Sequence, residues 1–366
     1  MKDMKEKTAA AVKFLLLTGA AAYCLVQPED VRGAVSGAMG RCLGILIPSL
    51  YAMLIVSSLL IRSGALGKLS RLLTPLGKIF GMDGEVCGVF LLSIFAGYPV
   101  GSRLLAALVS ENRLDRRRAS LLAGVCFGAG PAFISGCIGS QLFGVPAAGR
   151  IVLWSNLAAN AVLALCISFF LRKAHAPALR KTGFRLTSGL VTDCTISAGR
   201  SMAEICCMVI AFAVADQALC RCGAQTAAGE FLARLSGRSP AVCSGLLSSA
   251  LDITAVTRLP VGDLTLIPAV SALTAFGGLC VFLQIGAAVR GEFPLLPMIL
   301  LRSAGAVLSF FISRCMVTEE LLMSSAVPAA AVSGAVTSAP SPVPSVLLII
   351  MTVTVLRERE KLAINN

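Results

Sequence analysis

The sequence is poor in charge, in aromatic rings and in the side chains that do most enzymatic work. Of its 366 residues 14% are Asp, Glu, Lys or Arg, and there are one Trp, three Tyr and a single His. That histidine, His175, lies in a basic stretch, which excludes His-based metal centres and Ser-His triads. Neither an HExxH pattern nor a GxxxxGK[ST] phosphate loop occurs, so the chain encodes neither a zincin nor its own ATP coupling. The 14 cysteines contain no CxxC pair, and most of them, such as Cys42, Cys137, Cys166 and Cys280, fall inside apolar runs as small packing residues. A net charge of +13 raises the question of nucleic acid, but no basic tract is interleaved with aromatics for base stacking. The charge is instead read as positive-inside loops facing anionic lipid.

What the chain has in quantity is apolar length. It is 56% hydrophobic, with a mean hydropathy of +0.84, against about 45–50% apolar in soluble domains. The runs Cys42–Ile61, Ala119–Gly149, Ile151–Leu171 and Leu264–Val289 carry no charge, and each meets the roughly 20 residues of a spanning helix. The fold class is therefore an all-α polytopic membrane protein with about 8–10 membrane segments, including broken or re-entrant helices, in two repeated halves.

Two interruptions organise this reading. Gly97-Tyr98-Pro99-Val100-Gly101 breaks the apolar segment Val86–Val109, and Gly128-Ala129-Gly130-Pro131 breaks Ala119–Gly149. Backbone freed inside a bilayer costs several kcal/mol per group, so such breaks persist only where protein or a polar cavity satisfies them, and paired breaks point to a transport site. The second half repeats the order. Ala241–Leu259 is short and ends near Arg258, Leu264–Val289 breaks at Gly277-Gly278, and Phe293–Ser313 is a plain span, with Phe276-Gly277 answering Phe127-Gly128.

Around these lie an N-terminal segment, Thr8–Val26, expected as an uncleaved helix with a cytoplasmic start, and an amphipathic interfacial helix over Ile61–Phe80. A basic loop follows at Arg172–Arg185, then Ala224–Ser239 as a loop or surface helix, and a tail rich in Ala, Ser and Pro. The expected divisions are 1–85 for the N-terminal spans and interfacial helix, 86–171 for the first half, 172–190 for the loop, 191–314 for the second half and 315–366 for the tail. Whether the tail spans from near Ala339 to Leu356 is open.

Candidate substrate-binding residues follow from the breaks. Gly97, Gly101, Gly128, Gly130, Gly277 and Gly278 let backbone approach a ligand, with the half-helix N-termini, one of them opened by Pro131, presenting N–H groups to an anion; close helix packing is the competing role. Arg302, tenth in Phe293–Ser313, lies too deep to snorkel. It is either paired with a buried acid such as Asp252 or a ligand for an anionic substrate. Arg103 and Arg258 follow breaks closely and either fork onto a carboxylate or anchor a helix at the interface. Tyr98 is placed to stack on a ring, and Ser135, Thr254 and Gln284 to donate hydrogen bonds to substrate or to a neighbouring helix.

Ala96–Ser102, then Gly130-Pro131-Ala132-Phe133-Ile134-Ser135-Gly136, then Phe276-Gly277-Gly278 resemble the YlbJ family of sporulation integral membrane proteins, within the wider group of nucleoside-recognition or Gate domains. The family pattern has asparagines where this chain has Cys126-Phe127-Gly128-Ala129, and Glu-Ile-Thr where it has Asp252-Ile253-Thr254. The resemblance implies a non-enzymatic membrane protein of endospore formers, in the outer forespore membrane, associated with moving dipicolinate from mother cell to forespore. It implies a small anionic substrate, a lipid bilayer, no cofactor, and self-association or other sporulation membrane proteins as partners. Related Gate domains occur in nucleoside and ferrous-iron transport proteins. The alternative is a non-transporting membrane scaffold for spore-envelope maturation.

Overall fold

The computed structural model describes residues 2–171, 184–319 and 321, and among these every regular element is helical. The centre of the basic loop and the possible terminal span lie outside the described residues. In chain order the helices are α1 Lys2–Val26, α2 Pro28–Arg41, α3 Ile47–Arg62, α4 Ala65–Ile79, α5 Gly84–Ala96, α6 Tyr98–Ser110, α7 Arg116–Val125 and α8 Pro131–Phe133. They continue with α9 Pro146–Leu171, α10 Ser188–Arg221, α11 Ala224–Ser236, α12 Pro240–Leu251, α13 Ile267–Phe276, α14 Leu279–Val289 and α15 Leu296–Met316. A π-turn, Cys42–Leu46, fuses α2 to α3, a second, Ile134–Leu142, extends α8, and a 3₁₀ turn, Ile253–Arg258, follows α12.

Five helical stretches are long and apolar enough to cross a membrane: Pro28–Arg62, Pro146–Phe169, Ser188–Arg221, Leu264–Val289 and Leu296–Met316. The remaining apolar helices are shorter pieces, so the expected 8–10 segments resolve into these spans plus halves that stop inside the bilayer. The run Cys42–Ile61 proves to be the second part of a longer helix that begins at Pro28, which puts Arg41 in its middle. Ala224–Ser239 is a helix, α11, over most of its length. The last span begins at Leu296, three residues later than read from the sequence, because Pro294 and Pro297 fit only outside or in the first turn of a helix.

Contacts between helix ends fix the topology. Arg113, just beyond α6, pairs with Glu85 at the start of α5 and with Glu111 at 2.9 Å. The two ends of α5–α6 therefore share one face, and the Gly97 break is the tip of a re-entrant hairpin. Burial draws the pKa of Arg113 down, but the two carboxylates outweigh it and carry the guanidinium above its usual value. Each arm has 13 residues, about 20 Å, short of a hydrocarbon core of about 30 Å. On the same face Arg116 Nε, opening α7, donates to the carbonyl of Glu292 at 2.6 Å between α14 and α15, and Ser120 donates to that of Pro294.

The opposite face gathers the complementary ends. Gly262 N donates to the Leu142 carbonyl at 2.8 Å, and Arg238 bonds Thr265 at 3.0 and 3.1 Å, joining the end of the α8 extension to both ends of the second hairpin, α12 and its 3₁₀ return. A Cβ on Gly245 in mid-α12 would lie 2.8 Å from Leu259, so the return strand of this hairpin packs directly on its entry helix. Hairpin one opens to the first face and hairpin two to the second; α7–α8 and α13–α14 cross in opposite senses, as do α9 and α15. This is an inverted repeat. The helix α4, bent 85° from α5 across the turn, corresponds to α11, and the fused α2–α3 corresponds to α10. In a cysteine-depleted background, Ser110→Cys and Ser236→Cys are expected to react with a membrane-impermeant maleimide from opposite sides of sealed vesicles; labelling of both from one side contradicts the inverted arrangement.

Candidate functional site

Each break is built by glycines whose conformations a side chain resists. Gly97, Gly130, Gly277 and Gly278 have φ of 92, 74, 90 and 87°, where only glycine is unstrained. Packing adds a second constraint at Gly277, where a Cβ would lie 2.6 Å from Phe127 and 3.4 Å from Tyr98. The breaks meet in pairs. Gly130 packs on Gly97, joining the first hairpin tip to the α7–α8 break, and Gly278 packs on the backbone of Ala250, Leu251 and Ile253, joining the second tip to the α13–α14 break. Gly277 against Phe127 and Tyr98 then closes one pair onto the other.

The carbonyls left open at the breaks are claimed by buried donors. Tyr98 Oη donates to the Thr274 carbonyl at 2.8 Å, and Asn160 Nδ2, from α9, donates to that of Phe127 at 2.7 Å. Arg302 Nη1, from α15, donates to Asn160 Oδ1 at 2.8 Å and to the Ala275 carbonyl at 3.4 Å. So α9 caps the break in its own half and α15 the break in its own, and the two capping side chains hold each other. Asn156 extends the network to Thr274 Oγ1 at 2.8 Å and accepts from Ser309 at 3.0 Å. Neither asparagine stands out in the sequence, because each occupies an ordinary apolar span whose helical spacing conceals that both face the breaks.

Arg302 is 1% exposed. It is the seventh residue of α15, about 9 Å from the start of the helix. Its guanidinium lies 5.0 Å from the Phe127 ring centre, and its Nε and Nη2 find no hydrogen-bond partner among the described residues. The expected pairing with Asp252 does not occur. Asp252 accepts instead from the amide of Thr254 at 3.2 Å and from its hydroxyl, because it caps the 3₁₀ turn of its own hairpin. Phe127 touches Tyr98 as well, with ring centres 4.8 Å apart.

Beyond Tyr98 lies a cavity of about 30 Å³ between the hairpin tips and the wall formed by α3 and α10. Tyr98 and Pro99 open α6 against it, Phe133 ends the first turn of α8, and Val281 and Gln284 come from the first two turns of α14. Asp252 and Thr254 enter from the second tip, and Leu46, Leu50, Ile205 and Val209 from the wall. Three half-helix N-termini thus converge on one small, partly open cavity, each with the positive end of its dipole inward. Arg41 reaches its edge, Nε donating to Thr254 Oγ1 at 3.3 Å. Sequence reading missed this residue by taking it as the flank of a span starting at Cys42.

Of the sequence-predicted residues, Tyr98, Asp252, Thr254 and Gln284 line the cavity, and Gly97, Gly130 and Pro131 frame it. Gly277, Gly278 and Arg302 form the layer behind Tyr98. Gly101 and Gly128 serve close packing, Gly101 against Cys126 and Ser93, Gly128 against Ile94. Ser135 is exposed and bonds the Pro131 carbonyl of its own helix at 2.8 Å. Arg103 lies near the mouth of the first hairpin, where it pairs with Glu204 of α10 at 2.8 Å and donates to Ser201. Arg258 makes the corresponding bond to Asp216, again on α10, at 2.7 Å. The two arginines stand at equal offsets from their tips, Gly97 and Asp252, so each hairpin is tied to one and the same helix by an ion pair, partly exposed at Arg103–Glu204 and with a buried carboxylate at Arg258–Asp216.

Part of the chain is similar to known proteins. Residues 43–139, the first hairpin and the α7–α8 break with the helices before them, match the Gate family, described as nucleoside recognition. Over 169 residues the chain is 28% identical to the sporulation integral membrane protein YlbJ of Bacillus subtilis (strain 168), a match covering 46% of this chain and 41% of that relative. Less than half of the relative is therefore spanned. The YlbJ-type, Gate-domain resemblance carried by the break motifs is borne out by both matches. No solved structure matches.

Gly277→Ala is expected to lower stability by about 2–4 kcal/mol, the sum of left-handed strain and overpacking against Phe127. Gly33→Ala, in open space on α2, is expected to be neutral or to stabilise by up to about 1 kcal/mol. Thermal unfolding of the purified variants in detergent checks both; equal effects contradict the packing assigned to the break.

Proposed function

We propose that this protein is a membrane permease for a small organic anion, working by alternating access between its two inverted halves. The observation that carries the reading is the convergence of three half-helix N-termini, contributed by both halves, on one small cavity at the hairpin tips. Such termini are ready-made anion sites. The local charge supports this: Asp252 is engaged in its cap, Arg41 stands at the rim, and Arg302 lies one aromatic layer behind with no carboxylate partner. A guanidinium buried without an anion costs several kcal/mol; Arg302 lies behind Phe127 and Tyr98, so its charge acts on an anion in the cavity through that layer and not by direct pairing.

A cavity of about 30 Å³ holds one or two water molecules, so this is an occluded form and the hairpins separate from the wall to admit substrate. The partly exposed ion pair Arg103–Glu204 suits that movement. Dipicolinate, a small aromatic dianion, is the proposed substrate, carried in the outer forespore membrane, and the basic face at Arg113, Arg116, Arg117 and Arg118 is assigned to the cytoplasm. Self-association or contact with other sporulation membrane proteins belongs to the same reading.

A non-transporting scaffold for envelope maturation is the second reading, favoured by one observation: Arg103 and Arg258 are both already neutralised. Uptake into proteoliposomes separates the two. Dipicolinate is expected to accumulate in preference to nucleosides and metal ions, and flux of none of the three favours the scaffold. Arg302→Met is expected to fold with stability within about 1–2 kcal/mol of wild type, since an apolar residue of similar volume removes a buried charge, yet to lose at least about 90% of uptake. Retained uptake removes Arg302 from the mechanism. Asn160→Leu, which strands the Arg302 charge, is expected to cost about 3–5 kcal/mol in the same unfolding measurement.

A further inference from the structure

A second, larger cavity plays no part in this scheme. It lies on the outer side of the second hairpin, a groove of about 550 Å³ between α11, α12, α13 and the last turns of α15. Leu232 and Leu235 of α11, Leu246 of α12 and Phe310 of α15 make its walls apolar, while Arg238 and Arg314 stand at one end. No carboxylate lines it; the nearest acid in the hydrogen-bond network, Asp263, is bonded to Thr265 at 2.6 and 3.1 Å. Arg238 gives two donors to that same Thr265 and keeps others free, and Arg314 is exposed.

The position of these groups decides what fits. Arg314 sits in the last turn of α15, and Arg238 lies just before α12, so both charges are at helix ends, at the membrane–water boundary, while the apolar walls run inward from them. A ligand must then carry an anionic head at the interface and a hydrocarbon body below it. A soluble anion gains nothing from the walls, and a zwitterionic lipid brings a cation to two guanidinium groups. We propose that this groove binds one anionic phospholipid, its phosphate between Arg238 and Arg314 and an acyl chain along Leu235, Leu246 and Phe310. The bound lipid then fills the angle between α11 and α15, bracing the second hairpin from outside.

The test uses the full chain in nanodiscs. Phosphatidylglycerol is expected to remain bound at about one per chain in native mass spectrometry after extraction and to raise the melting temperature, where phosphatidylcholine does neither. Each arginine near a charged headgroup contributes about fivefold in affinity, so Arg238→Gln and Arg314→Gln are each expected to weaken retention about fivefold and the pair about 25-fold, with Arg→Lys at both positions restoring most of it. Independently of those variants, Leu235→Trp in a Trp154→Phe background is expected to be quenched by brominated phosphatidylglycerol more than by brominated phosphatidylcholine. Equal retention or quenching by the two lipids overturns the proposal. So does a melting shift produced by inorganic phosphate alone, or cross-linking of Leu235→Cys to a second copy or to residues 322–366, which assigns the groove to protein.

Discussion

The structure depends on how it disposes of broken backbone inside a bilayer. Four interruptions fall in or beside membrane helices, and hydrocarbon offers no partner for the groups they free. The answer is to bring the breaks together and to cap them from the two full spans: Asn160 of α9 on Phe127, and Arg302 of α15 on Ala275, with Arg302 bonded to Asn160. Each cap serves the break of its own half, and the Arg302–Asn160 and Tyr98–Thr274 bonds tie the two halves together. Inverted halves and a shared centre follow from that single requirement.

The same arrangement creates the site. A helix interrupted at mid-depth ends with carbonyls on one side of the break and begins with N–H groups on the other. Here the carbonyls are spent inward, on Tyr98, Asn160 and Arg302, leaving the N-terminal turns of α6, α8 and α14 to face the cavity. Polarity is thus sorted by direction: negative ends toward the capping layer, positive ends toward the cavity. Arg41 reinforces this from the wall, while Asp252 spends its charge on its own turn.

Much of this was legible in the sequence because it rests on local chemistry. Glycines next to Pro99 and Pro131, and the pair Gly277-Gly278, announce positive φ and chain breaks wherever they occur. Charge-free runs marked the spans. What escaped depends on registration between distant segments. Asn156 and Asn160 look like tolerated polar residues in an apolar helix, and only the fold shows them at the breaks. Arg103 and Arg258 stand out in the sequence by their distance from the tips, but their partners Glu204 and Asp216 lie about 100 and about 40 positions away on α10. Arg302 was rightly expected to be buried, yet its partner is an amide, since Asp252 is already committed to Thr254.

The central claim is that an anion binds where half-helices from both repeats end. Crystals grown with a heavy-atom-labelled aromatic dicarboxylate, such as an iodinated isophthalate, locate the ligand directly through its anomalous signal. The account predicts one strong peak among Tyr98, Thr254, Val281 and Gln284, with the hairpins drawn back from α3 and α10. A peak only on the outer surface, or continuous helix through Gly97 and Gly278, contradicts it.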